Sequence, residues 1–173
     1  MSNSKFEQEV LVSRERFSLL AKKSMQRQIE TAGNIKLELK PQERIVRIVA
    51  DDALTLWLGQ QVIEAVGRGF SHTVAQKLFK PDNAYVLISL RDFGGRSRNQ
   101  LQRLRSRVIG QQGRAKKTIQ KYTNTDISIY GKTVAIIGSI GGVELARRAV
   151  EMLLRGAKHT TVYRFLSDQL SRG

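Results

Sequence analysis

The chain has no cysteine, two prolines, two histidines and few aromatic residues, 6% of its 173. Without cysteine there can be no disulfide, thiol nucleophile or cysteine-based zinc site, and the lone His72 and His159 form no ligand pair. No metal and no other cofactor is expected. No apolar run approaches the roughly 18 residues that a bilayer-crossing helix needs, and the start, Met1 to Glu7, is polar and acid-containing rather than basic and then apolar. A cytoplasmic protein without a membrane partner is therefore expected. Scarce proline and the lack of any low-complexity tract argue against a disordered linker. With 40% hydrophobic residues, the length suits one compact domain or two small ones.

Acidic residues are scarce in one half only. The net charge is +15, with 13 basic and 10 acidic residues in positions 1–83 against 17 and 5 in positions 84–173. From Arg91 to Lys121 ten basic residues accompany the single acid Asp92. A solvated basic face normally mixes acids among its cations, so this segment points to a polyanion. A membrane surface fits less well, because the stretch lacks bulky aromatic anchors on an opposite face.

One order of elements occurs twice. Strands are expected at Glu9–Ser13 and Ala84–Leu90, each followed by a short basic helix. A four-residue loop and a polar helix come next: Ala21–Ser24 before Met25–Thr31, and Gly110–Gly113 before Arg114–Tyr122. Alternating strands follow at Ile35–Leu39 and Asp126–Tyr130, then further strands at Arg44–Val49 and Thr133–Ile137. Each copy closes on an amphipathic helix. Leu54, Trp57, Leu58, Val62, Ile63 and Val66 are expected to form the core face of the first, and Val143, Leu145, Ala146, Ala149, Val150, Leu153 and Leu154 that of the second. The architecture implied is α+β, two tandem repeats each with a small antiparallel sheet covered by helices on one face, at 1–80 and 81–173.

Chemistry centres on Gly110-Gln111-Gln112-Gly113. A backbone without Cβ can turn sharply and lie against a sugar-phosphate chain, offering N–H groups at a helix start where the dipole favours anions. Arg114, Lys116 and Lys117 follow at once. A nucleotide-hydrolase phosphate loop is excluded, because the Gly-Lys-Ser/Thr that it requires is replaced by Ala115-Lys116-Lys117. The second Gly-x-x-Gly, Gly138 to Gly141, follows an apolar strand without nearby cations and is expected to be a turn.

The aliphatic pair Val108-Ile109 before this loop, with the helix and strand after it, resembles the signature of KH domains, whose loop clamps about four backbone nucleotides. The resemblance implies two type I KH-like repeats and single-stranded RNA binding by the second, with Arg96, Arg98, Arg105, Gly110, Gln111, Gln112, Gly113, Arg114, Lys116 and Lys117 on the RNA and Val108, Ile109, Ile127 and Ile129 as candidates for the floor under the bases, Ile109 and Ile127 foremost. The first repeat departs from it, since Ala21-Lys22-Lys23-Ser24 has no glycine, and is expected to be mainly structural or protein-binding, with electrostatic RNA contacts through Lys22 and Lys23 at its edge left open. The tandem arrangement, Arg91 to Asn99 and His159 to Leu166 are similar to the archaeal relatives of the Partner-of-Nob and Krr small-subunit assembly factors. That family implies binding of pre-ribosomal RNA near the 3′ end of small-subunit rRNA, with a Nob-type endonuclease and the pre-ribosomal small subunit as partners. No counterpart of the long N-terminal extension of its eukaryotic members is expected, as an archaeal source would have it. A general RNA adaptor in decay or translation is the alternative. A processing enzyme is not expected, because the acids of the basic half, Asp92, Asp126, Glu144, Glu151 and Asp168, are scattered.

Overall fold

The computed structural model describes residues 5–173. The polar start rests partly on Met1–Ser4, which lie outside the described residues. The chain divides into two compact units, Met1–Pro81 and Asp82–Gly173, each with its own core.

In the first unit, β1 (Phe6–Leu11) leads through α1 (Arg14–Leu20) and α2 (Lys23–Gly33) to the hairpin β2 (Lys36–Lys40) and β3 (Ile45–Ala50), and then to α3 (Ala53–Gly67) and the short α4 (His72–Ala75). The second unit repeats the plan with β4 (Asn83–Ser89), α5 (Arg98–Ile109), α6 (Arg114–Thr123), β5 (Asp126–Tyr130), β6 (Thr133–Ser139) and α7 (Ile140–Leu154), and adds α8 (His159–Ser171). Both sheets are antiparallel, with their third strand in the middle, in the orders β1-β3-β2 and β4-β6-β5. These are tandem KH-like repeats of α+β architecture. Among the described residues no helix is long and apolar enough to cross a membrane.

Local chemistry is shared between the units. Asn34 and Asn124 end α2 and α6 in the left-handed conformation, φ 50° in both, which a short polar side chain tolerates and which turns the chain into the next strand. Glu30 Oε1 accepts the Leu37 N–H at 2.8 Å, and Gln120 Oε1 accepts the Ile127 N–H at 2.8 Å, so each second helix holds the start of its strand by a side chain.

The apolar stripe of α3 is narrower than its spacing suggests. Gly59, Val62, Ile63, Ala65 and Val66 face the sheet, whereas Leu54 and Trp57 are 65% and 53% exposed. The helix lies close at Gly59, where an added Cβ would stand 3.0 Å from Ile35 Cδ1 and 3.2 Å from Ile48 Cγ2. In the second unit α7 buries the expected Val143, Ala146, Ala149, Val150 and Leu153, and α8 adds Val162 and Leu166, both fully buried. Phe165 packs beneath Arg148, whose guanidinium carbon lies 5.0 Å from the ring centre.

Candidate nucleic-acid interface

The loop between α5 and α6 has a backbone that most residues avoid. Gly110, Gln112 and Gly113 have φ of 74°, 54° and 75°. The two glycines differ in what surrounds them. A Cβ on Gly110 would sit 2.6 Å from Ala115 Cβ and 2.8 Å from its backbone nitrogen, so the glycine lets the loop fold against the first turn of α6. A Cβ on Gly113 would meet only Lys117 Cε, at 3.9 Å. Gly113 is the residue before α6, and no side chain caps that helix; the Gly113 and Arg114 N–H groups turn back onto Gly110 O and Gln111 O, and the positive end of the helix dipole stands behind the loop.

The first repeat lacks the glycine loop, although α2, like α6, has no side-chain cap. Its linker is Ala21-Lys22, because α2 already begins at Lys23, two residues ahead of the expected Met25. Ala21 is helical and Lys22 extended, so no residue of that link has positive φ. The expected four-residue loop is corrected to two, and a two-residue link cannot form the open cradle that Gly110–Gly113 forms. The outer face of this unit's sheet carries ion pairs of Lys40 with Glu9 and of Arg47 with Glu7 and Glu38.

Beside the glycine loop lies an open cleft of about 320 Å³ lined by Ile109, Gly113, Lys116, Lys117, Gln120 and Ile129. Four of these, Gly113, Lys116, Lys117 and Gln120, recur at helical spacing on one face of α6. Ile109 is 37% exposed there. Ile127 is not part of the cleft: at 3% exposure it belongs to the core, and the expectation that it touches a base is corrected. Ile127 and Ile129 are two apart and share the helix-facing side of β5, but Ile127 is covered and Ile129 is only partly buried, so the cleft wall falls to Ile129. Val108 is fully buried.

A second cleft of about 400 Å³ is lined by Arg96, Arg98, Leu101, Arg105, Gly131 and Lys132. Arg98, Leu101, Arg105 and Ile109 form one stripe of α5, so the two clefts follow each other along that helix for roughly 16 Å. Gly131 and Lys132, in the β5–β6 turn, continue the wall begun by Ile129. Arg105 reaches Gly131 O at 3.5 Å and Gln102 Oε1 at 3.0 Å.

Arg96, Arg98, Arg114, Lys116 and Lys117 enter no ion pair among the described residues; Glu144 and Glu151 are instead held by Arg147 on α7, and Glu151 also by Arg155. Gln111 and Gln112 are exposed at the loop tip. Arg107 leaves the basic face, since its guanidinium donates to Leu153 O at 2.8 Å and Ala157 O at 2.7 Å. The sequence-predicted loop and cations therefore come together. Gln120 and Lys132 were absent from that prediction, although the three- and four-residue spacing from Gly113 through Lys116 and Lys117 to Gln120 is a legible sign of a shared face.

A family model of the second KH domain of PNO1 proteins, a eukaryotic-type KH domain (KH-domain type I), matches residues 85–171. A KH domain-containing protein of Methanocaldococcus jannaschii is 37% identical over 155 residues, 87% of this chain and 68% of that one. The chain belongs to the PNO1 family of KH proteins. The matched PNO1 segment contains the glycine loop and both clefts. The pre-rRNA-processing protein PNO1 of Candida albicans is 27% identical over 139 residues, which is 80% of this chain but 50% of the fungal one. The chain thus spans half to two thirds of the length of these PNO1-family relatives. The fold is also similar to one in a crystal structure of an a/eIF2alpha-aDim2p-rRNA complex from Pyrococcus horikoshii, with TM-score 0.89, 32% identity and coverage of 98% of this chain and 96% of that one.

Proposed function

We propose that the chain binds single-stranded RNA with its second repeat and acts, without catalysing a reaction, in assembly of the small ribosomal subunit. The observation that carries the reading is the loop Gly110–Gly113, whose positive-φ backbone opens an uncapped helix among unpaired cations beside a partly apolar cleft. The positive end of the α6 dipole and the exposed backbone at the loop tip take one phosphate, and Arg114, Lys116 and Lys117 neutralise its neighbours. Gln111 and Gln112 flank the same phosphates. A base lies over Ile109 and Ile129, which stack and exclude water without hydrogen-bonding. The strand then runs along α5 to Arg105, Arg98 and Arg96, where further phosphates are met. Residues 1–80 form the degenerate repeat, whose Lys22 and Lys23 offer charge without the cradle.

Small-subunit rRNA is the proposed partner because one similar fold is that of a protein in a complex with rRNA, and a relative is named for pre-rRNA processing. The 3′ end of that RNA, and an endonuclease of the Nob type beside it, are the finer reading that family resemblance suggests. The non-catalytic part is supported by the dispersed acids of the second unit, of which Glu144 and Glu151 are engaged by arginines. Crosslinking and sequencing in the native cell tests the assignment. One dominant peak at the 3′ end of small-subunit rRNA or its precursor is expected, and reads spread over messenger RNAs without an rRNA peak would replace it by a general adaptor.

A further inference from the structure

Gln120 stands on the cleft-facing stripe of α6 with one end committed. Its Oε1 accepts the Ile127 N–H at 2.8 Å. An N–H bonds only to an acceptor, so this contact fixes which end of the amide meets the strand and leaves Nε2, a donor, as the other. Among the described residues Nε2 has no partner. Glu30 makes the same 2.8 Å contact to Leu37 N in the first repeat, but its second atom is an acidic oxygen. At one position of a shared design, the second repeat presents a hydrogen-bond donor and the first an acceptor.

Of the six residues lining the cleft, Lys116 and Lys117 offer charge that phosphates take without regard to sequence. Ile109 and Ile129 offer apolar surface that any base can cover, and Gly113 belongs to the phosphate cradle. The Gln120 amide is the one neutral polar side chain of the lining and is held in a fixed orientation, which suits it to tell one base edge from another. A free glutamine amide reads adenine through a donor and an acceptor together, at N7 and N6. The Ile127 N–H takes one of the two Oε1 lone pairs and holds the amide in place, so that paired mode is disfavoured, and the two N–H donors of Nε2 are the end left wholly free. We propose that Gln120 is the specificity-determining residue of the cleft, selecting at one position a base with adjacent acceptors, cytosine at O2 and N3 or guanine at O6 and N7, against adenine.

The inference rests on the RNA-binding reading above and is tested so that the two can fail separately. The full chain, Gln120→Glu and Gln120→Met are each equilibrated with single-stranded RNA of randomised centre, and the bound fraction is sequenced. Glu30 shows that a glutamate makes the strand contact in this fold, so Gln120→Glu keeps its structure, as a circular dichroism melt will verify. The native chain should enrich cytosine or guanine over adenine about tenfold at one position. Gln120→Glu should erase that enrichment or turn it toward adenine, whose N6 donates, and Gln120→Met should flatten the same position alone. An unchanged preference in Gln120→Glu, uniform weakening for all sequences, or a native chain without preference at any position overturns the role of Gln120. Failure of the native chain to retain any RNA overturns the RNA-binding reading and this inference with it.

Discussion

Arg16 and Arg107 make the same pair of hydrogen bonds, one in each repeat. Arg16 donates from Nε to Val66 O and from Nη2 to Phe70 O, both at 2.6 Å, and Arg107 from Nε to Leu153 O at 2.8 Å and from Nη2 to Ala157 O at 2.7 Å. Each guanidinium thereby satisfies carbonyls at the C-terminal end of its unit's long helix, where the dipole favours a cation. The Arg107 carbonyl also meets His159 Nε2 at 2.9 Å, which ties α5 to the start of α8.

Replacing Arg107 by methionine should therefore lower stability by about 2–4 kcal/mol, because two charge-assisted bonds are lost and Ala157 O loses its guanidinium partner, while Leu153 O keeps the Gly156 N–H. Arg103, exposed on the same helix, should change it by less than about 0.5 kcal/mol when replaced by alanine. Urea unfolding monitored by circular dichroism measures both. Equal, small effects would place Arg107 with the solvated cations.

The two loop glycines should respond differently to alanine. Gly110→Ala forces a methyl into Ala115 and its backbone and should cost more than about 2 kcal/mol, whereas Gly113→Ala meets open space and should cost about 1–2 kcal/mol for its positive φ alone. Unfolding midpoints of the pair decide this, and a reversed order would contradict the loop geometry.

Acid should weaken the cap of α3 but not that of α7. Asp52 accepts from Thr55 N at 2.8 Å and from Thr55 Oγ1 at 2.7 Å, and these bonds, the backbone one first, hold its carboxyl below the ordinary range. A lowered folded-state value adds stability above the unfolded carboxyl value of about 3.9, and that stability disappears as pH falls through the folded value. Ser139, which caps α7 by accepting from Gly142 N at 3.1 Å, carries no such charge. The advantage of the native chain over Asp52→Asn should shrink between pH 7 and pH 3. A gap that stays constant over that range would show that the charge of Asp52 adds nothing.

Affinity for RNA should fall steeply with salt, since several cations along α5 and α6 each displace counterions from phosphate. Duplex RNA should compete poorly, because the cleft needs a splayed strand with an accessible base. Titrations at low and high salt, with duplex competitor, test both expectations. Salt-independent affinity, or equal competition by duplex, would remove the basic track from the site.

Much of this was legible because it follows from short-range pattern. Alternation at Asp126–Tyr130 and the glycine loop within a cationic stretch needed no tertiary information. Burial differences within one face did not announce themselves. Ile127 and Ile129 have the same residue type and the same side of β5, and only the extent of helical cover separates core from cleft. Leu54 and Trp57 carry the right period for a core stripe, yet both are exposed in the first turns of the helix. Arg107 was hidden among nine other cations, because its role depends on carbonyls some fifty residues later in the chain. The first-repeat linker was misjudged because lysine and serine start a helix as readily as they fill a loop.

The central claim is that the second glycine loop, and not the first linker, holds single-stranded RNA. Its most direct test is a titration of the native chain, Gly113→Asp and Lys22→Asp with a single-stranded oligonucleotide of the small-subunit rRNA 3′ end at moderate salt. Gly113→Asp, which sets a carboxylate at the phosphate cradle, should weaken binding by more than about tenfold, and Lys22→Asp by less than about threefold. Equal losses from the two substitutions, or undiminished binding by a folded Gly113→Asp protein, would contradict it.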